Sequence, residues 1–461
     1  MSGYSHLTHL ALGQNKETPM SQPILDFIHD LSFSDIPAAS CKMAELCVLD
    51  LIGVGICGSS LPSSEIIRNH AALMFGSSDP TAKMMFDGRS ASPVGIALAG
   101  GMTIDAFDGH DGYNEAKGHV GCGVFPAALA LANATGLTDG QEFLTDIVIG
   151  YELGSRLALA LHASVTDYHT SGAWVAVACA AIGARRLGLD REATRHAMGI
   201  AEYHGPRSQM MRVIDHPSML KDGSGWGAMA GVSAAFLAQS GFSGAPAITA
   251  EGADVATYWQ DLGDRWLIED QYFKPYPVCR WAQAPIEAVL TLKRQHHVTA
   301  DLVDHIEIAS FHEAIRLATS DPQVTDDAQY STSYSCAVAL VRGKLGLDEV
   351  SPAAFQDPEV KRLSQGLVMR EDDYCNANFP SGRMAKAELH MKDGSILRSD
   401  VVSARWGPDA PATEAELRLK FHSFADPLIG DARSREIETA VGDLQNGSSV
   451  SALSELICCA N

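Results

Sequence analysis

Between two apolar segments that read as helices, residues 92–104 and 127–134, the chain runs Asp105-Ala-Phe-Asp-Gly-His-Asp-Gly-Tyr-Asn-Glu-Ala-Lys-Gly-His-Val-Gly-Cys-Gly-Val-Phe-Pro126. Asp105, Asp108, His110, Asp111, Glu115, Lys117 and His119 make this stretch too polar for an ordinary core connection. Glycines at 109, 112, 118, 121 and 123 deny its middle a regular helix and favour tight turns or close backbone approach. A fold that accommodates it must hold it between rigid helices. It reads as an active-site loop on a helical scaffold; a solvated loop whose carboxylates cap the next helix is the plainer alternative.

The rest of the first half supplies that scaffold. Periodicity predicts helices over 22–29, 38–57, 63–74, 94–104, 125–134, 143–163, 173–187, 191–202 and from about residue 225 onward, with no strand-like alternation up to Gly241. The character changes after Tyr272. Residues 305–310, 385–391 and 396–402 have strand patterns, the last two joined by the turn Lys392-Asp-Gly-Ser395, among helices at 284–296, 332–342 and 358–363. Residues 414–461 return to helix. The expected class is therefore mainly α with an inserted α+β domain: a disordered start over 1–21, a helical domain over 22–272, a smaller α+β lid domain over 273–408 and a helical return over 409–461. A chain that leaves one body and comes back creates a cleft, where small-ligand sites usually lie.

A net charge of −22 argues against a nucleic-acid partner, since no cation surplus offsets phosphate. An anionic ligand must then be met by the few cations gathered in one place. The first twenty residues hold no apolar run, so neither a signal peptide nor a membrane span is expected. Ten cysteines without CxxC spacing, among them Cys47, Cys57 and Cys179 in apolar stretches, fit a reducing cytoplasm. Asp105, Asp108, His110 and His119 have metal-ligand chemistry, yet no HExxH spacing exists and His312-Glu313 lacks its second histidine, so no metal is expected.

Four more groups stand out. His169, before an alanine-rich helix, is either an acid/base group or a capping histidine. Arg207, Arg212, His216 and Lys221 precede Gly223-Ser-Gly-Trp-Gly227; arginine grips carboxylates, and a lysine beside other cations in a dry site can act as a base. The glycine run lacks the order and context of a nucleotide loop. Prolines in Phe273-Lys-Pro-Tyr-Pro-Val-Cys-Arg280 stiffen a segment that either aims Lys274 and Arg280 into a cleft or simply links two domains. In Tyr330-Ser-Thr-Ser-Tyr334 the hydroxyls either cap a helix or leave Tyr334 to donate to a substrate.

The order of these motifs, with Pro126-Ala-Ala-Leu-Ala-Leu-Ala132, Gly150-Tyr-Glu-Leu-Gly-Ser-Arg156 and Gly183-Ala-Arg-Arg-Leu-Gly-Leu-Asp190, resembles the MmgE/PrpD family over residues 22–420. That family contains 2-methylcitrate dehydratase, cis-aconitate decarboxylase and iminodisuccinate epimerase. The resemblance implies a helical domain built from both chain ends, an α+β lid, a homodimer and a site between the domains with no cofactor. By position it implies that Asp105, His119, His169, Lys221, Lys274 and Tyr334 match the family's site residues. The sequence departs from the family pattern at Asp108-Gly-His110, at His119-Val-Gly121 and at Gln283, where many members have a histidine.

The family reactions share chemistry at a carbon next to a carboxylate, acidified by cations and donors. Lys221, His119, His169, Asp105 and Tyr334 are the expected catalytic groups, and His110, Asp108, Arg212, Lys274, Arg280 and Gln283 the expected substrate contacts. An extra base at His110 and a missing histidine at Gln283 favour epimerisation of an aminodicarboxylate such as iminodisuccinate, which needs groups on both faces of one carbon. A dehydratase or decarboxylase is the alternative, and a metabolite-binding dimer without catalysis the remote one.

Overall fold

The computed structural model describes residues 21–76 and 79–460. The disordered start expected over 1–21 lies outside the described residues except for Ser21, which opens the first helix. Helices α1 (Ser21–Asp30), α2 (Ala38–Ser59) and α3 (Pro62–Met74) lead through a ladder of β1 (Ala82–Lys83) and β2 (Ser90–Ala91) into α4 (Pro93–Ala106) and α5 (Gly121–Thr135). There follow α6 (Gly140–Ser164), α7 (Gly172–Arg186), α8 (Arg191–His204), α9 (Met211–Asp215), α10 (Ser224–Gln239) and α11 (Ile248–Glu251). The ladder interrupts the all-helical run expected to Gly241, because two residues per strand are too few for alternation to register.

Helix α2 is buried continuously from Ala44 to Gly58, so it forms the centre of the helical core rather than a wall. Small residues decide how closely its neighbours cross. A Cβ on Gly101 of α4 would lie 2.5 Å from Gly225 of α10, and one on Gly227 of α10 would lie 2.4 Å from the Gly172 carbonyl of α7. These near contacts draw α4, α7 and α10 together and seat the start of α10 against the end of α4. An alanine layer, including Ala176, Ala180, Ala197, Ala201, Ala234 and Ala238, fills the space between α7, α8 and α10.

The second half holds α12 (Arg280–His296), β3 (Val303–Ser310), α13 (His312–Ile315), α14 (Thr325–Gln329), α15 (Thr332–Arg342), α16 (Pro358–Gln365), β4 (Val368–Glu371), α17 (Asp373–Asn378), β5 (Met384–Met391), β6 (Ile396–Arg398) and β7 (Val402–Ser403). The sheet order is β4-β3-β5-β6, with β7 also on β5; β3 and β4 run parallel and the other pairs antiparallel. β4, with the sequence Val-Met-Arg-Glu, is a short charged edge strand that its pattern does not announce. The single strand expected over 396–402 is two. The chain closes through α18 (Glu414–Ile429), α19 (Asp431–Gly442) and α20 (Val450–Ile457), with α18 packed on α2. Gly430 at φ 80° and Gly447 at φ 76° break what reads in sequence as one helix.

The fold is mainly α with a small mixed sheet in its C-terminal part. Among the described residues no single helix is long and apolar enough to cross a membrane.

Candidate active site

The polar stretch that follows α4 is buried, not solvated. Asp105, Asp108, His110, Asp111 and His119 all lie in the interior. Backbone bonds clamp the loop: Gly112 N donates to the Tyr272 carbonyl at 3.0 Å and Tyr272 N to the Gly112 carbonyl at 2.8 Å. Lys420 of α18 donates to the Gly109 carbonyl at 2.7 Å and pairs with Asp50 of α2 at 2.6 Å, so the returning chain also ties the loop down. Gly112 is obligatory here, since a Cβ would meet the Tyr272 hydroxyl at 2.5 Å and His119 Nδ1 at 2.7 Å.

His119 is the centre of the arrangement. Its Nδ1 lies 2.6 Å from the Asp111 carbonyl oxygen, which can only accept, so Nδ1 carries the proton and Nε2 the lone pair. Burial, with Lys274 and His110 nearby, holds the ring well below the ordinary histidine value. His119 is therefore a neutral imidazole with a free Nε2. That nitrogen faces the Asp222 carboxyl, 3.8 Å away.

Asp222 precedes α10 in a turn where Lys221 (φ 48°) and Gly223 (φ 64°) both take left-handed backbone. Its Oδ2 accepts from Ser171 Oγ at 2.8 Å, and Ser171 Oγ also accepts from His119 N at 3.0 Å. Its Oδ1 has no hydrogen-bond partner among the described residues. Burial, then the charges of Asp105 and Asp108, push Asp222 up to about 7. Asp105 instead accepts from the N–H of Ser224 at the start of α10 (3.1 Å) and lies 3.2 Å from His110 Nε2. Asp222 is thus a carboxyl able to hold a proton at neutral pH, beside an imidazole able to take one.

Cations line the same space. Lys274, fully buried, pairs with Asp108 through its carboxylate and, at 3.2 Å, its carbonyl. The Arg280 guanidinium lies 4.1 Å from the Tyr272 ring, and Arg383 lies over Phe379 while donating to the Asn114 carbonyl at 2.9 Å. Burial lowers both arginines to about 10, and Arg280 Nε and Arg383 Nε and Nη1 are buried without hydrogen-bond partners among the described residues. Such donors suit substrate carboxylates. Lys221 pairs with Asp326 at 2.9 Å, bonds Gln329 and lies 5.2 Å from the Tyr330 ring, so it bridges the α10 turn to α14.

Several expected residues sit elsewhere. Tyr334 donates to the Glu349 carbonyl at 2.6 Å and packs on Phe355, because as the third residue of α15 it faces the core. Tyr330, in the turn one helical turn earlier, lies among the charges of Asp108, Asp222 and Asp105, which with burial raise its hydroxyl well above the ordinary value. His169 is half-buried beside His162, its Nδ1 3.0 Å from the Asp167 carbonyl; its neighbour Ser171 is what reaches the cluster. Arg212 is exposed and lines a cavity of about 460 Å³ that it shares with Thr170, Lys221, Gly223 and Trp226, beside Ser171 and Asp222. Gln283 spends its amide on the Tyr276 and Val278 carbonyls, both at 2.9 Å, fixing the segment that aims Lys274. Asp222, Arg383, Tyr272 and Tyr330 are the residues that sequence reasoning missed. Asp222 adjoins Lys221, which was a usable signal; Arg383 carries none.

Two sets of possible metal ligands occur here, Asp105 with His110 and Cys122, and Asp108 with His110 and His119. The Lys274 ammonium already neutralises Asp108 in one set, and burial holds the Cys122 thiol of the other protonated, so neither set suits a cation.

The MmgE/PrpD N-terminal domain matches residues 22–258 and the MmgE/PrpD C-terminal domain residues 276–446. A cis-aconitate decarboxylase-like protein of Aspergillus oryzae is 24% identical over 96% of this chain and 98% of its own. Cis-aconitate decarboxylase of Aspergillus terreus is 23% identical over 98% and 99%. The mitochondrial 2-methylcitrate dehydratase of Yarrowia lipolytica is 24% identical over 82% and 77%. None of these three is named as an epimerase. With both of its domain models matched across most of its length, the chain belongs to the MmgE/PrpD family.

Proposed function

We propose that this protein is a cofactor-independent lyase of a small polycarboxylate. Decarboxylation of a cis-aconitate-like substrate is the leading reading, and dehydration of a 2-methylcitrate-like substrate is the second. The observation that carries it is the pair of His119, neutral at Nε2, and Asp222, protonated near neutrality, 3.8 Å apart. Epimerisation, expected from the sequence, needs a second group across the reacting carbon. His110 was the candidate, but its ring stands edge-on against His119 at 4.3 Å and its Nε2 faces Asp105 at 3.2 Å, so it is engaged within the same cluster.

In the leading reading Arg280, Arg383 and Lys274 hold the carboxylates that remain. The departing carboxylate loses hydration in the buried site; its C–C bond breaks and the electron pair passes into the conjugated double bond. The charge that develops is stabilised by the cations and quenched by the Asp222 proton. One proton enters and one carbon dioxide leaves, so charge and atoms balance. In the second reading His119 Nε2 takes the proton next to a carboxylate and Asp222 protonates the leaving hydroxyl. Asp222 is the proton donor in both readings and His119 the base in the second alone, which a dehydratase among the relatives favours keeping.

Segment 273–408 acting as a lid over a helical body of 22–272 and 409–461, a homodimer and a cytoplasmic location belong to this proposal. Exposed Tyr203, Leu220 and Trp226 support a second copy as partner; light scattering at twice 49.1 kDa would bear it out and a monomer would remove it. Carbon dioxide release and alkene formation from cis-aconitate and 2-methylcitrate, with Asp222→Asn as control, test the reaction. Turnover of neither substrate removes the lyase reading.

A further inference from the structure

The outer face of the sheet carries a group that the cleft chemistry does not use. In the β3–β5 ladder His305 stands opposite His390 and Glu307 opposite Glu388. Alternation turns Ile306, Ile308, Ala387 and Leu389 into the core and leaves these four on the other face, half-buried.

The two imidazoles stack at 4.2 Å with planes 17° apart. Glu307 Oε1 lies 3.7 Å from His305 Nε2 and 3.5 Å from His390 Nε2, and the three atoms lie within 4.8 Å of one another. His390 Nε2 is buried with no hydrogen-bond partner among the described residues. The remaining oxygens are spoken for: Arg370 approaches Glu307 Oε2 at 3.9 Å and Glu388 Oε1 at 3.3 Å, and Arg398 takes the same Glu388 oxygen at 3.2 Å. Glu388 Oε2 is left facing His390 Nε2 at 3.5 Å. Asp304 Oδ2 lies 2.9 Å from His305 Nδ1, which places a proton on Nδ1 and turns Nε2 towards Glu307.

Ion pairing alone accounts poorly for this convergence, because two stacked rings cannot both be protonated without repulsion. A divalent cation takes both neutral lone pairs and the carboxylate together. Tetrahedral ligands about 2.0–2.2 Å from zinc stand roughly 3.3–3.5 Å apart, close to the separations here.

We propose that His305 Nε2, His390 Nε2 and Glu307 Oε1 bind a zinc-class divalent cation, with Glu388 Oε2 or water as the fourth ligand and Asp304 orienting His305. The nitrogen-rich set selects against magnesium and calcium. The ion staples β3 to β5 and uses none of the residues placed in the candidate site.

The test is calorimetric titration of the metal-stripped full chain with zinc chloride, beside His305→Gln/His390→Gln and Asp304→Asn, each checked for folding by circular dichroism. The double variant is expected to take up one equivalent fewer and to lose the visible bands of a tetrahedral cobalt adduct. Asp304→Asn is expected to weaken that equivalent about 10- to 100-fold. Glu307→Gln gives an independent reading should the double variant fail to fold. No zinc uptake by the parent, or equal uptake by parent and folded variant, would overturn the site.

Discussion

His119 Nδ1 donates to the Asp111 carbonyl oxygen at 2.6 Å, and this one contact decides which imidazole nitrogen faces the substrate space. The carbonyl belongs to the same glycine-rich loop, eight residues upstream, so the loop both carries the histidine and sets its tautomer. Replacing His119 with Gln keeps a polar side chain in place but removes the basic Nε2. Dehydration of a 2-methylcitrate-like substrate should fall roughly 100- to 10,000-fold with the circular dichroism spectrum unchanged, and a variant that dehydrates at the parental rate would dismiss His119 as the base.

Asp222→Asn has a signed pH consequence. The native carboxyl titrates at about 7 against an ordinary 3.8, so between those values the native state holds a proton that the unfolded chain releases. Its contribution to stability is present at low pH and is lost as pH rises through about 7. The Asn variant should match the parent near pH 4 and exceed it above pH 7 by on the order of 1–3 kcal/mol in urea unfolding. Parental activity should decline above about pH 7, and the variant should lose that limb together with most of its rate.

His119 works in the opposite sense. Its value is lowered by burial, so as pH falls through the ordinary histidine value of 6.5 the unfolded chain takes up a proton that the native chain refuses. His119→Gln should therefore lose less stability than the parent between pH 7 and pH 5. Parallel unfolding midpoints across that interval would refute the assignment of a buried neutral ring.

Arg280→Lys and Arg383→Lys keep the charge and remove the planar fork. Each should raise KM about 10- to 100-fold, with a smaller change in kcat, if they hold carboxylates. Unchanged KM in both would leave Lys274 as the only anchor.

Tyr330→Phe and Tyr334→Phe separate two residues one helical turn apart. The second leaves the buried Glu349 carbonyl without its 2.6 Å donor and should cost about 1 kcal/mol while sparing turnover. The first should lower kcat about tenfold or more with little loss of stability. The reverse pattern would restore Tyr334 to the site.

Sequence periodicity revealed the helices because α4, α6 and α7 are long and evenly apolar, and glycines such as Gly101 and Gly225 foretold close crossings without naming the partners. The loop was legible as a candidate site because acids and imidazoles crowd a stretch that the structure buries. What stayed hidden depends on helix phase and distant pairing. Tyr330 and Tyr334 share one motif, and only the start of α15 at Thr332 turns one to the core and leaves the other at the cluster. Arg383 reaches the loop through a contact with Asn114 that spans most of the chain. β4 and the β1–β2 ladder are too short or too charged to show alternation.

The most direct measurement is proton NMR of the purified protein with cis-aconitate in deuterated water. The account expects loss of carbon dioxide and a product alkene carrying solvent deuterium at the carbon that Asp222 protonates. Deuterium entering the stereocentre of iminodisuccinate under the same conditions, with no reaction of cis-aconitate or 2-methylcitrate, would contradict it and return the protein to epimerisation.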